Sequence, residues 1–130
     1  QGATTAVAGV SISNSNQVAP APTQSISRGY GGPNGYGRGW CTWWVKEKRP
    51  DIGGYWGNAG YNWISAAQSA GFSTGSAPAA GAIGVMPGHV VYVESVSGNM
   101  VNVSEMGWGY QANSVANYRS VPASTFTYIY

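Results

Sequence analysis

Three side chains of this sequence could carry out covalent chemistry together: its only cysteine, its only histidine and a glutamate sixteen residues further on. Gly37 and Gly39 precede Cys41, and helical periodicity follows it. Cys41 is therefore expected in the first turn of a helix, where unpaired N–H groups and the positive dipole end favour an anion. A thiolate gains stability there, and more beside an imidazolium. The same N–H groups can hold the oxyanion of a tetrahedral intermediate. A cysteine nucleophile needs a base, and His89 is the one imidazole on offer. Taken singly, Cys41 reads as a small core residue and His89 as a satisfied strand-end residue. A lone histidine and a lone cysteine cannot build a zinc site.

Glu105 is the candidate to orient His89. Side chains alternate along strands, so His89, Val91 and Val93 share one face, and Val101, Val103 and Glu105 share a face of the next strand. The two faces coincide if the hairpin loop has an odd number of residues, as a three-residue Ser97-Gly98-Asn99 loop does. Val91 then lies opposite Glu105, and His89 is its diagonal neighbour, within side-chain reach. A two-residue loop would put Glu105 on the wrong side. Glu94, the rival acid, points away from His89.

The elements needed to position these groups follow from pattern and punctuation. A first helix is expected over residues 41–49, with Thr42, Lys46 and Arg49 on a polar face and Cys41, Trp44 and Val45 opposite. Pro50 ends it. A second is expected over residues 59–70, with Asn58 as N-cap, an apolar stripe of Tyr61, Ile64 and Ala67, and Gly71 as its stop. Strands are expected over residues 81–86, 89–96, 100–106, 115–119 and 126–130. Helices followed by strands imply an α+β domain with helices packed on an antiparallel sheet.

Composition sets the outer limits. A chain of 130 residues is one domain long, and its six tryptophans and nine tyrosines must supply much of the core. Residues 1–33, rich in Ser, Ala, Pro and Gly, read as a flexible linker, and residues 34–130 as the folded domain. The net charge of +2 comes without a basic run able to track a nucleic-acid backbone. Lys46, Lys48 and Arg49 form the only basic cluster and read as a solvated helix end. No apolar run is long enough to span a bilayer. A monomer is expected, with neither nucleic acid nor membrane as partner.

The spaced motifs resemble the CHAP family of cysteine, histidine-dependent amidohydrolases/peptidases. The matching text is Gly39-Trp40-Cys41-Thr42-Trp43-Trp44-Val45, Tyr55-Trp56-Gly57-Asn58-Ala59 with Trp63, then Pro78 and Gly81-Ala82-Ile83. It continues with Gly88-His89-Val90-Val91-Tyr92-Val93-Glu94 and Val103-Ser104-Glu105-Met106. The resemblance implies a papain-like α+β fold and cleavage of an amide in peptidoglycan through an acyl-enzyme. It implies Cys41 as nucleophile, His89 as general base and then acid, and Glu105 as its orienter. The bond would be that of a stem-peptide endopeptidase or of an N-acetylmuramoyl-L-alanine amidase. A bacterial or phage-derived protein, secreted or associated with the cell wall, is implied as well.

Two departures from the family stand out. Gly107 occupies a place where many members have an asparagine, and Trp40 one where many have a glutamine. No cofactor is implied. Some members bind calcium through clustered aspartates, but Asp51 is the sole aspartate here, so no structural metal is expected. Trp56, Trp108 and Tyr110 are the candidates to line the substrate groove, while Trp43, Trp44 and Trp63 read as packing. A noncatalytic wall-binding module that keeps the fold is the alternative, and a papain-like amidase acting on a small molecule is a third reading.

Overall fold

The computed structural model describes residues 29–107 and 114–130, together with the backbone of residues 4, 5, 8 and 9. Thr4–Thr5 and Ala8–Gly9 form a two-residue parallel pair. The rest of the expected linker up to residue 28 lies outside the described residues. Residues 29–33 run against the segment after the first helix, with Gly31 N donating to the Pro50 carbonyl at 2.8 Å.

Helix α1 spans Cys41–Lys48 and α2 spans Asn62–Ser69. The strands are β1 (Thr74–Gly75), β2 (Ile83–Met86), β3 (His89–Ser97), β4 (Met100–Glu105), β5 (Asn117–Pro122) and β6 (Thr127–Ile129). They form one antiparallel sheet in the order β1-β6-β2-β3-β4-β5. The architecture is the expected one: helices packed on an antiparallel sheet. The two-residue β1 and the 3-10 turn at Ala123–Thr125 carry no pattern of their own and were not expected from the sequence.

Each sheet face buries its own cluster. Ile83, Val85, Val90 and Ile129 pack with Cys41, Val45, Ile52, Trp63, Ala67 and Phe72 on the helix side. Ala82, Val91, Val93, Val101, Val103, Phe126 and Tyr128 fill the other side. Phe126 comes so close to the strand that a Cβ on Gly84 would lie 2.9 Å from its ring and 2.8 Å from Val91. Glycine at that position lets β2 pass beneath the ring.

Several sequence expectations need correcting. Helix α2 begins at Asn62, three residues later than expected. Gly60, at φ +147°, breaks the approach, and Tyr61 rather than Asn58 is the N-cap. Tyr61 is exposed, and Trp63 takes its place as the buried ring of α2. The basic cluster is not a solvated helix end. Lys46 is buried and donates to the carbonyls of Pro50 and Ile52 at 2.8 and 2.7 Å. Arg49 pairs with Asp51 and also donates to the carbonyls of Gly81 and Tyr130. Helical periodicity located these cations on one face, but the loop after α1 wraps over that face and buries it.

The hairpin reaches the expected alignment by another route. Ser97 pairs with Met100, so the loop has two residues, Gly98 and Asn99. A bulge between Val93 and Ser95 then shifts the register by one. Val93 faces Val103, and Glu105 returns to the side of the sheet that carries Val91.

Candidate active site

Cys41 opens α1 because the chain before it cannot be helical: Trp40 is extended, with φ −92° and ψ 162°. No side chain caps this helix start. Asn34 braces the approach loop, donating to the Trp43 carbonyl and to Glu47 at 3.0 Å each, and accepting from Tyr36 N. Gly107 closes in from the end of β4. Its φ is +72°, and a Cβ there would stand 2.9 Å from Cys41 N and 3.2 Å from the Trp40 ring. Only glycine permits so close an approach to the helix start.

His89 begins β3, one residue after the turn at Gly88, and is 6 % exposed. Its Nε2 lies 2.7 Å from Glu105 Oε1. Cys41 lies close enough to the imidazole to act on its charge. Cys41, His89 and Glu105 are thus brought together.

Glu105 ends β4 and is fully buried. Arg119 donates to it through Nε at 2.6 Å to Oε2 and Nη2 at 3.2 Å to Oε1, and Asn117 Nδ2 donates to Oε2 at 2.7 Å. Burial alone would raise the pKa of this carboxyl. The hydrogen bonds from His89, Arg119 and Asn117 outweigh it and hold the value down at about 2. Burial likewise disfavours a charged imidazole. The nearby Cys41 and the hydrogen bond with Glu105 prevail, and the His89 pKa rises to about 9.

Cys41 lies on the wall of a cleft of about 420 Å³, together with Tyr36, Trp40, Tyr55, Asn58 and Gly88. Tyr36 is held by the Trp56 amide, and burial, opposed by that bond, pushes its pKa up to about 12. Trp56 is turned toward the core: its ring meets Trp63 edge-on at 5.4 Å and Phe72 at 5.6 Å, and it is not among the residues lining the cleft. Tyr55 is the ring from that motif that faces the cleft. Trp108 and Tyr110 lie outside the described residues.

Asn117 and Arg119 escaped the sequence reading, although both fall in a segment read as a strand. The available signal was alternation: Asn117, Arg119 and Val121 sit at every second position. Their register, Asn117 opposite Glu105 and Arg119 opposite Val103, depends on the connection after β4, whose length sets it invisibly. Glu94 sits apart from this network. It accepts from Ser104 Oγ at 2.6 Å and pairs with Lys48 at 3.6 Å. Among the described residues no group of three or more His, Cys, Asp or Glu side chains could hold a metal ion. No helix among them is long and apolar enough to cross a membrane.

A two-helix layer on an antiparallel sheet, with cysteine at a helix start facing a histidine on a strand, defines a papain-like α+β fold. The CHAP domain family model matches residues 31–107, and the chain belongs to that family. It is similar to staphylococcal secretory antigen ssaA2 of Staphylococcus aureus, 45 % identical over 108 residues, which cover 78 % of this chain and 40 % of that protein. Secretory antigen SsaA of the same species is 43 % identical, over 78 % of this chain and 42 % of its own length. The chain therefore spans about two fifths of these relatives. Among solved structures, an N-acetylmuramoyl-L-alanine amidase from Staphylococcus aureus superposes with a TM-score of 0.59 at 27 % identity, covering 70 % of this chain and 30 % of that one.

Proposed function

We propose that residues 34–130 form a catalytic unit that hydrolyses an amide bond of peptidoglycan. The observation that carries this reading is the His89–Glu105 hydrogen bond set beside Cys41, which lines an open cleft. Membership of the CHAP family and likeness to an amidase support the choice of substrate. Relatives named as secretory antigens support a working place outside the cell.

In the proposed reaction His89 takes the proton from Cys41, and the sulfur attacks the scissile carbonyl carbon. The amides of the first turn of α1 stabilise the resulting oxyanion. The C–N bond then breaks, and the imidazolium gives its proton to the departing amine, leaving a thioester on Cys41. His89 next deprotonates a water molecule, which attacks the thioester. A carboxylate is released, and the thiol regains its proton. Glu105 keeps Nε2 engaged throughout, so that Nδ1 always faces the sulfur. The exposed rings of Trp40 and Tyr55, with Asn58, give the substrate its contact surface.

Cys41→Ala should abolish the clearing of purified cell walls while circular dichroism and melting stay near wild type. Undiminished clearing by that variant would sink the enzymatic reading. Walls that bind the wild-type domain and are never cut would instead favour a binding module. Mass spectrometry of the released muropeptides identifies the bond: a new L-alanine amino terminus marks the amidase, and a cut within the peptide marks the endopeptidase.

A further inference from the structure

A carboxylate that touches a catalytic imidazole through one oxygen only is free to rotate about its last bond. Glu105 is not. Each of its oxygens accepts two donors or lies between two partners: His89 and Arg119 at Oε1, Arg119 and Asn117 at Oε2. All four lone-pair directions are used, and the planar guanidinium spans both oxygens. We propose that Arg119 and Asn117 are positioning residues, a clamp reaching across from β5 that fixes the plane and the charge of Glu105 and, through it, the ring of His89.

Three features separate this from ordinary strand packing. First, β5 gives little else to the core: its residues are exposed or half-buried, and Val121 is its one contribution to a cluster. Second, the side chain of Arg119 keeps 24 % exposure, while Glu105 has none, so the cation reaches inward to its partner. Third, Asn117 on the same strand brings an amide to the carboxylate at 2.7 Å. Among the described residues the charged or titratable groups that meet Glu105 are His89 from β3 and Arg119 from β5, with Cys41 of α1 behind the imidazole.

The clamp rests on the proposed reaction only in treating His89 and Glu105 as a working pair, and its test does not need the wall substrate. The chain has three glutamates, Glu47, Glu94 and Glu105, so glutamate labelled with carbon-13 at the carboxyl gives three side-chain signals, and Glu105→Gln assigns the relevant one. In the Arg119→Gln variant that signal should titrate about one to three pH units higher than in wild type. The acid limb of Cys41 alkylation by iodoacetamide should move up with it. Arg119→Lys, which keeps the charge but not the fork, should restore the carboxyl titration more fully than the alkylation rate. Asn117→Ser should shift both curves in the same direction by less, and it carries the test if Arg119→Gln does not fold. An unchanged Glu105 titration would overturn the clamp. So would a shifted titration with an unmoved alkylation profile, because Glu105 would then be held without any effect on the nucleophile. Coupled shifts in a protein whose wild type never cuts walls would leave the clamp standing and remove the proposed hydrolysis.

Discussion

Lys46 and Glu105 both lie buried inside this domain, and they are handled in opposite ways. Lys46 is answered by dipoles: the carbonyls of Pro50 and Ile52, from the turn that follows its own helix. Burial lowers its pKa, and the more distant Asp51 and Glu47 only soften the effect. Glu105 is answered by the guanidinium of Arg119 and the imidazole of His89, from two strands flanking its own. Its pKa falls to about 2 in spite of complete burial, so its charge is reinforced. Burial alone therefore marks neither as functional. What differs is the partner set. Local carbonyls make Lys46 a staple for the loop after α1, while the charged partners of Glu105 tie it to the imidazole beside Cys41.

Variants at the two centres should separate in kind. His89→Ala removes the proposed base and should lower wall hydrolysis by about 100- to 10,000-fold. Glu105→Gln should lower it less, because orientation is only part of what the imidazole needs. An equal or greater loss in the Gln variant would overturn that division of roles. Lys46→Met, by contrast, should cost about 1–3 kcal/mol of stability through two carbonyls left without a donor, with activity per folded molecule unchanged. A large loss of turnover in folded Lys46→Met would erase the distinction.

Gly107 links the two halves of the site, since it closes on the helix start that carries Cys41. A Cβ at its φ of +72° is strained, and that atom would come within 2.9 Å of Cys41 N. Gly107→Ala should therefore cost about 1–3 kcal/mol and shift the sulfur enough to slow turnover by roughly 100-fold. Urea melts and wall clearing measure the two effects. Wild-type values for both would show that the approach is slack.

How legible all this was in the sequence depends on which residues are considered. Cys41, His89 and Glu105 could be found because each is singular or sits on an otherwise apolar strand face. The sheet alignment was reached from a three-residue loop, yet the molecule uses a two-residue loop and a bulge. A bulge leaves no mark in an alternating pattern until the partner strand is known. Asn117 and Arg119 were hidden for a related reason, because their register depends on a long connection. Lys46 is not legible as buried, because helical periodicity reports a polar face but says nothing of a loop that later covers it. Trp56 stands in the motif beside Tyr55, and nothing in the sequence tells which ring turns inward.

Acid and alkali sharpen the contrast between the buried groups. Glu105 is ionised more readily folded than unfolded, so its contribution is complete above about pH 4.5 and fades as pH falls toward 2. His89 binds its proton more tightly when folded, so its contribution is complete below pH 6.5 and is lost as pH rises through about 9. Lys46 runs the other way. Its folded pKa is lowered, so the unfolded chain binds more protons just below 10.5 and stability gains as pH rises there. Wild-type melting temperature should decline between pH 6.5 and 9, and the decline should disappear in His89→Gln. A variant that kept the full decline would place its origin elsewhere.

The smallest effect is expected from the charge that neither centre uses. Lys48 sits 4.9 Å from the Tyr92 ring, 5.3 Å from the Trp44 ring and 3.6 Å from Glu94. The Lys48 side chain is a third exposed, so solvent screens the ion pair, and the rings add little to a hydrated cation. Lys48→Ala should cost about 0.5–1 kcal/mol, part of it from the lost aliphatic stem over Trp44. The cost should shrink in 0.5 M salt by no more than the ion-pair share, and wall clearing should stay at the wild-type rate. A loss above about 2 kcal/mol would mean that Lys48 belongs with Lys46 as a buried staple, and that α1 is pinned to the sheet by charge at both positions.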